Sequence, residues 1–464
     1  MTLVLWVILL SACTRRNPDA CCTDEQSCAA AGLPLGTTCD EGSLCRGNRC
    51  VEQSCSSPAQ CDLSAPYCTA PGDGTCVEQC TTDRQCPGFG GTTTETFCVE
   101  GTCAECRMGM ADCPVDTPIC NNGKCATCVE HSECASGVCA NGQCARESEI
   151  AYVAIDGAAA SDCQPATPCA SITRALTLVP ARTYVLVSPG TYTSTSAIAL
   201  TGVRRIIGRG GRPVLTRSTE GAIVSITGIS DIKLERLEVF GARNGTNGVT
   251  GDGIWCAGPP KVEVLDVVSR SNAGDGFSGS GCTLTTRKSK FVENGGYGVE
   301  NGEGMSYIDR CTVAQNVSTG LFLDGGVHVV KNSIVARNGG SGIDIYTVTN
   351  GSLVEFNTIV DNGDGIVGKG IECNGAMATW PNNIVVRNRP VQVQGSCSFV
   401  QSIVASTDIA PLKFKQPDAA PFDYHLMPGS IAIDMASDSS TKVDFDGEAR
   451  PAGAANDIGA DELH

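Results

Sequence analysis

Three carboxylates in the second half of this 464-residue chain stand at spacings that could do chemistry. Glu300 and Asp344 each lie two residues after a glycine, and Asp324 lies four after another. Trp255 and Phe322 share the first of these positions, Tyr346 and Lys369 the second. Glycoside hydrolysis uses two carboxylates flanking a sugar ring, about 5–9.5 Å apart. Clustered carboxylates could instead supply Ca2+ with its roughly six to eight oxygen ligands. Aromatic rings beside polar groups suit plain carbohydrate binding, the ring stacking on a pyranose face. Glu300, Asp324 and Asp344 are therefore the catalytic candidates, and Trp255, Phe322, Tyr346 and Lys369 the binding candidates. The bland alternative is that the outer face of an acidic protein is simply polar and solvated.

These positions share one frame. Gly253, Gly276, Gly298, Gly320, Gly342 and Gly365 recur every 22 or 23 residues, each followed by an apolar residue: Ile254, Phe277, Val299, Leu321, Ile343 and Ile366. Most repeats close on an asparagine, at Asn272, Asn294, Asn316, Asn338 and Asn362. So constant a period means stacked units, each too small to bury its own apolar face. Parallel strands stack roughly 4.8 Å apart, so equivalent residues form columns. The apolar column must point inward, and alternation then turns the next position outward. One outer column becomes Trp255, Ser278, Glu300, Phe322, Asp344 and Val367; the next becomes Ala257, Ser280, Gly302, Asp324, Tyr346 and Lys369. Glu300 and Asp344 would lie two coils, roughly 10 Å, apart. The asparagines suit side-chain ladders. The Gly-Asp-Gly triplets at 251–253, 274–276 and 363–365 suit turns, because glycine allows positive φ and aspartate bonds nearby backbone amides. His328, between Val327 and Val329, reads as a strand residue.

Composition narrows the setting. Aromatics make up 5% of the chain and glycines number 54, which favours turn-rich β structure over a large helical core. The net charge of −17 argues against nucleic acid as a partner. Residues 1–150 hold 8 Lys and Arg against 19 Asp and Glu, and the remainder 25 against 31, so the acidity is concentrated N-terminally. Of 30 cysteines, 23 precede residue 150. That density belongs in an oxidising compartment.

Between 21 and 145 the cysteines form near-repeats: Cys55, Cys61, Cys68, Cys76; Cys80, Cys86, Cys98, Cys103; Cys106, Cys113, Cys120, Cys125; and Cys128, Cys134, Cys139, Cys144, after an irregular unit from Cys21 to Cys50. Turn formers fill the gaps, so disulfides must supply the constraint that a core cannot. Their connectivity is not readable from sequence. Cys103-Ala-Glu-Cys106 and Cys125-Ala-Thr-Cys128 have the spacing of zinc or redox sites, but each sits where one repeat joins the next. The apolar residues 1–10 are too short to span a bilayer and read as an export signal.

Leu10-Ser11-Ala12-Cys13 resembles the lipobox of bacterial lipoproteins, which implies lipidation at Cys13 and a membrane anchor, although no Lys or Arg precedes the apolar run. The alternative is plain secretion. The cysteine repeats loosely resemble small cysteine-rich repeats of surface proteins, with a stalk as the expected role. A strand at 152–154, helical spacing over 171–179, a strand at 184–187 and then Pro189-Gly190-Thr191-Tyr192 resemble the opening of right-handed parallel β-helices of the pectin-lyase-like superfamily. There the helix caps the first coil and shields an open sheet edge. Cys163 and Cys169 are spaced for a local bridge. The run from Pro428-Gly429-Ser430 through Asp446-Gly447, Arg450-Pro451 and Asp457-Ile458-Gly459-Ala460-Asp461-Glu462 resembles the closing segment of exported bacterial β-helix proteins whose relatives carry different anchors.

The expected organisation is a leader at 1–13, a tether at 14–20, disulfide repeats at 21–145, a linker at 146–149, an all-β parallel β-helix with a capping helix at 150–410, and a closing segment at 411–464. The expected protein is exported and held by lipid at a bacterial outer membrane or cell surface, or else secreted. Its leading role is non-enzymatic polysaccharide or surface binding. A polysaccharide lyase or glycoside hydrolase is the enzymatic alternative, and a purely structural envelope protein the third. Hydrolases of the superfamily pair aspartates with a Gly-His-Gly motif absent here; its lyases use Arg or Lys as base beside Ca2+, which would cast Lys369 in that role. No cofactor is implied beyond a possible Ca2+.

Overall fold

The computed structural model describes residues 97–108 and 112–464 apart from 348, 375–378 and 406, together with positions 79–81, 83 and 86 and the backbone of short strands between 43 and 77. The leader at 1–13, Cys13 and the tether at 14–20 lie outside the described residues. The chain divides into two compact units, Met1–Ala145 and Arg146–His464.

In the first unit each described four-cysteine repeat closes on itself. The first cysteine bonds the third and the second bonds the fourth: Cys80–Cys98 with Cys86–Cys103, Cys106–Cys120 with Cys113–Cys125, and Cys128–Cys139 with Cys134–Cys144. The third and fourth cysteines face each other across a short antiparallel hairpin, for example Cys120 opposite Cys125. Asn122 and Gly123 turn that hairpin with φ of 49° and 77°, the left-handed pair that matches the twist of two short strands. Both C-x-x-C pairs are thereby junctions. Cys103 and Cys106 bond different partners, as do Cys125 and Cys128, so neither pair is a zinc-binding thiolate pair or a redox couple.

The second unit is a parallel β-solenoid. Its strands fall into three sheets of 11, 10 and 9 strands, and beyond the first pair of the 11-stranded sheet consecutive members are three strands apart in sequence, so each full coil gives one strand to each sheet. The 11-stranded sheet runs from Ile150–Ala158 to Ser398–Val400, the 10-stranded from Thr191–Ser194 to Ile403–Ala405, and the nine-stranded from Ile198–Leu200 to Val391–Gly395. The column after the glycines is inward: Val224, Ile254, Phe277, Val299, Leu321, Ile343 and Ile371 are paired in register and fully buried. His328 also faces in, buried opposite Ser306.

Beside this column runs a buried asparagine ladder. The Nδ2 of Asn272 donates to Oδ1 of Asn294 at 3.0 Å, and the chain continues through Asn316, Asn338 and Asn362 to Asn388 at 2.8–2.9 Å. Each Oδ1 also accepts the backbone N–H of the preceding rung, as Asn316 does from Asn294 at 3.0 Å. The residue before each rung takes the left-handed conformation, such as Glu293 at φ 58° and Gln315 at φ 58°. That bend costs about 1–2 kcal/mol in a non-glycine residue. The ladder's hydrogen bonds offset it at every coil. The glycine column exists for space: a Cβ on Gly298 would lie 2.4 Å from Val313 Cγ1, 2.7 Å from the Gly320 carbonyl and 2.8 Å from Asn316 Nδ2.

Two expectations need correction. The capping helix is shorter than the 171–179 pattern: it covers Ile172–Leu176, with the Ser171 hydroxyl accepting the Arg174 N–H, and Val179 is 95% exposed before Pro180. The sixth member of the glycine column is Gly370, not Gly365. Gly365 sits at φ 90° in a loop with open space around it, and Ile366 is 80% exposed rather than inward. The Cys163–Cys169 bridge is present.

The C-terminal residues cover a flank. Leu412, Phe414, Tyr424, Leu426, Ala432, Ile458 and Ala460 form a second core with Ile334, Ala336, Val360, Ile384 and Val386, which are outward residues of the 10-stranded sheet. This explains why those strands are apolar on both faces. Arg450, fully buried, anchors the segment by donating to Glu462 at 2.9 Å and to the carbonyls of Asp457, Gly459 and Ala460 at 2.7–3.0 Å.

Gly298→Ala is expected to lower stability by about 1–3 kcal/mol through overpacking. Gly302→Ala, where a Cβ meets nothing within 4 Å, should stay within about 0.5 kcal/mol of wild type. Chemical denaturation of both variants checks the pair; equal midpoints would refute the close-approach account.

Candidate functional site

The outward positions of the nine-stranded sheet hold the expected side chains through five coils. Trp255, Ser278, Glu300, Phe322 and Asp344 are successive register partners, and so are Ala257, Ser280, Gly302, Asp324 and Tyr346. Beyond that point the structure departs from the constant period. Glu372 pairs with Asp344 where Val367 was expected, and Asn374 pairs with Tyr346 where Lys369 was expected. Val367 lies in the inserted loop, 65% exposed, where its amide and that of Ile366 bond Asp364. The Gly-Asp-Gly at 363–365 is thus a turn held by its aspartate. Lys369 still reaches the face, because its ammonium bonds Glu372 Oε2 at 2.5 Å.

Two members of the site were read only as turn formers or passed over. Asp275 and Tyr297 precede Gly276 and Gly298, on the approach to the same strands. Asp275 accepts the Tyr297 N–H at 2.6 Å, while its own N–H bonds Asp252 at 2.9 Å. Its carboxyl is pushed up to about 7, first by burial, then by the charges of Asp252 and Glu300 and by a hydrogen bond with Glu300. Ser278 Oγ donates to Glu300 Oε2 at 3.3 Å. Asp275 therefore sits in an acidic neighbourhood, with Asp252 and Glu300, that favours its protonated form.

The rings form a stack along the solenoid axis. Tyr297 and Phe322 have centroids 5.3 Å apart at 27°, and Phe322 and Tyr346 are 5.5 Å apart at 37°. These three spend their faces largely on one another. Trp255 differs: it is 37% exposed and its column neighbours are Ser225 and Ser278. Phe322 stands between Glu300 and Asp344 in the ladder. Asp344 is buried, accepts the Thr319 hydroxyl at 3.0 Å, and is held above the usual carboxylate range chiefly by that burial. Burial would raise Glu372 as well, but Lys369 and Asn374 outweigh it and bring it below its ordinary value. Asp324 accepts the Thr347 hydroxyl. Burial pushes the Tyr346 phenol up to about 12, with the charges of Asp344 and Glu372 adding to the shift. Lys369 is the ammonium that acts on both Asp344 and Glu372.

No family model and no curated protein matches the chain. Among solved structures, pectate lyase Pel9A shares 16% identity over 68% of this chain and 96% of its own, with a TM-score of 0.43. A double mutant of the periplasmic alginate epimerase AlgG shares 14% over 52% of this chain and 69% of its own, with a TM-score of 0.39. The A-module of the Azotobacter vinelandii mannuronan C-5 epimerase AlgE6 shares 16% over 48% and 89%, with a TM-score of 0.28.

The Asp275 shift sets a sign. Between the unfolded aspartate value, about 4, and about 7 the folded form binds more protons, so stability falls as pH rises through that window. Asp275→Asn keeps an acceptor for Tyr297 and a donor for Glu300. It should raise the thermal midpoint at pH 8 by at least about 2 °C and leave pH 4 nearly unchanged. Wild-type and variant melts that track each other across pH 4–8 would overturn the assignment.

Proposed function

We propose that the solenoid binds polysaccharide, without cleaving it, along the nine-stranded face from Trp255 to Asp344. The observation that carries this reading is Trp255, an exposed indole flanked by serines and followed two coils on by Glu300. An open aromatic face offers stacking, and the serine hydroxyls and carboxyls offer directional hydrogen bonds to sugar hydroxyls. A carboxyl-rich face with one ammonium, already engaged by Glu372, disfavours a polyuronate, so the favoured ligand is a neutral or amino-sugar chain. The catalytic alternative has weaker support. Glu300 and Asp344 have Phe322 between them, and Lys369 is engaged by Glu372 rather than free as a base.

The same reading places the protein outside the cytoplasm, where the cysteine repeats oxidise, with an acyl chain on Cys13 and the repeats serving as a stalk. Acyl burial supplies about 0.8 kcal/mol per CH2, which suits a surface anchor.

Affinity electrophoresis of the oxidised protein against neutral, amino-sugar and uronate polysaccharides tests the binding. Retardation by a neutral or amino glycan should weaken about tenfold in Trp255→Ala, a loss of roughly 1.4 kcal/mol. No retardation in any gel, or retardation untouched by that substitution, would sink the proposal. For the anchor, labelled palmitate should appear on the wild-type protein expressed in a bacterium and vanish in Cys13→Ser. Equal labelling of the two would rule Cys13 out.

A further inference from the structure

The C-terminal run of aspartates around Arg450 contains more than the arginine network requires. The strand Asp423–Leu426 turns Tyr424 and Leu426 into the second core, which leaves Asp423 and His425 on its other side. The His425 ring lies between two carboxylates: Nδ1 meets Asp423 Oδ1, and Nε2 is 2.9 Å from Asp446 Oδ2. Asp461 arrives from the tail, 93% buried, its Oδ2 taking the Leu426 N–H at 2.6 Å. One ring nitrogen of His425 and one oxygen each of Asp446 and Asp461 all lie within 4.8 Å of one another.

We propose that His425, Asp446 and Asp461 form a divalent transition-metal site that pins the C-terminal tail to the hairpin of Phe414–Gln416 and Asp423–Leu426. Charge is the first argument. Asp423, Asp446 and Asp461 carry three negative charges, and Lys415, 3.1 Å from Asp423 Oδ2, returns one. A neutral imidazole with one divalent cation offsets two of these charges, whereas an imidazolium offsets one. Asp444 nearby gives no relief, since it is another carboxylate, accepting the amides of Gly447, Glu448 and Glu462. The second argument is orientation. A metal-ligating histidine characteristically gives its other N–H to a carboxylate, which fixes the tautomer and aims the free nitrogen, and Asp423 stands at that position on Nδ1. The third is ligand type. One imidazole with two carboxylates selects zinc-like ions over Ca2+ or Mg2+, which prefer oxygen alone. The ligands come from three separate segments: the hairpin strand, the turn at Asp446-Gly447 and the terminal Asp461-Glu462. Binding would therefore add a metal crosslink to elements already joined by packing, the Arg450 network and single hydrogen bonds such as Leu426 N–H to Asp461.

The test uses the full, disulfide-intact chain, stripped with a chelator and titrated with Zn2+ by calorimetry, with metal content read by mass spectrometry. One tight equivalent is expected in the wild type, together with a higher thermal midpoint on loading. His425→Ala and Asp446→Asn should each remove that equivalent, while Asp423→Asn should weaken it by about 10–100-fold. Asp446 is exposed, so Asp446→Asn keeps the test valid if His425→Ala fails to fold. Any Zn2+ taken up by other groups would remain in both variants. The proposal is overturned if the wild type takes up no tight equivalent, or if Asp446→Asn retains it.

Discussion

A buried amide can repeat through a protein interior only if each copy finds the next, and that requirement governs this solenoid. Each rung between Asn272 and Asn388 uses its Oδ1 to accept from the rung before and its Nδ2 to donate to the rung after, while Asn272 Oδ1 takes the Ala242 N–H and Asn388 Nδ2 donates to Gln392. Removing one rung strands donors on one side and an acceptor on the other, at about 1–3 kcal/mol for each buried group left unmade. The glycine column is the steric counterpart, since the next coil's carbonyl and the ladder's Nδ2 occupy the place of a Cβ. Asparagine and glycine are thus two halves of one constraint. It fixes the register of neighbouring coils to whole residues, and through register it decides which side chains share the outer face.

That coupling also explains how far the sequence could be read. From Gly253 to Gly342 the constant period is enough, and the outward columns through Asp344 and Tyr346 follow from it. It fails where an insertion lengthens a coil, because period then ceases to report register while the ladder still does. The column glycines from Gly253 to Gly342 stand 18 to 20 residues before their asparagines, and Gly370 stands 18 before Asn388, whereas Gly365 stands 23 before it. Measuring from the asparagine would have placed Gly370 in the column and Glu372 on the face. Asp275 and Tyr297 escaped for a different reason. They sit on the bend before the strand, where alternation of in and out does not apply, so their approach to Glu300 and Phe322 depends on turn geometry. The disulfide pairs were illegible because nothing in the spacing says which half of a hairpin an upstream cysteine reaches.

The apolar outward residues of the later coils carry a related lesson. Ile334, Ala336, Val360, Ile384 and Val386 break the alternation that a one-sided sheet would show, and a break of that kind signals a cover. The cover is the C-terminal segment, held to the 10-stranded sheet by that core. Polar contacts add to it: Arg337 bonds the Tyr424 hydroxyl, Arg387 bonds Asp418, and Lys331 bonds Thr441.

The consequence is an asymmetry between flanks. The C-terminal segment spends its apolar residues on the 10-stranded sheet and reaches the 11-stranded one through Lys331, Glu355 and Thr441. Among the described residues its hydrogen bonds and core contacts stop there, so the nine-stranded sheet keeps its outward side chains for other uses. On that sheet the coils do not repeat the apolar outward residues found under the cover; they present Trp255, Glu300, Phe322, Asp344 and Glu372 instead. Carboxyls held that close together raise one another's cost of ionisation, as Asp275 beside Asp252 and Glu300 does. A solenoid with no use for that face could have filled the column with threonine or serine, as it does at Ser225 and Ser278, at no electrostatic cost. The retained charge, beside a tryptophan left half in water, is the physical reason to look for a ligand on this flank and not on the other two.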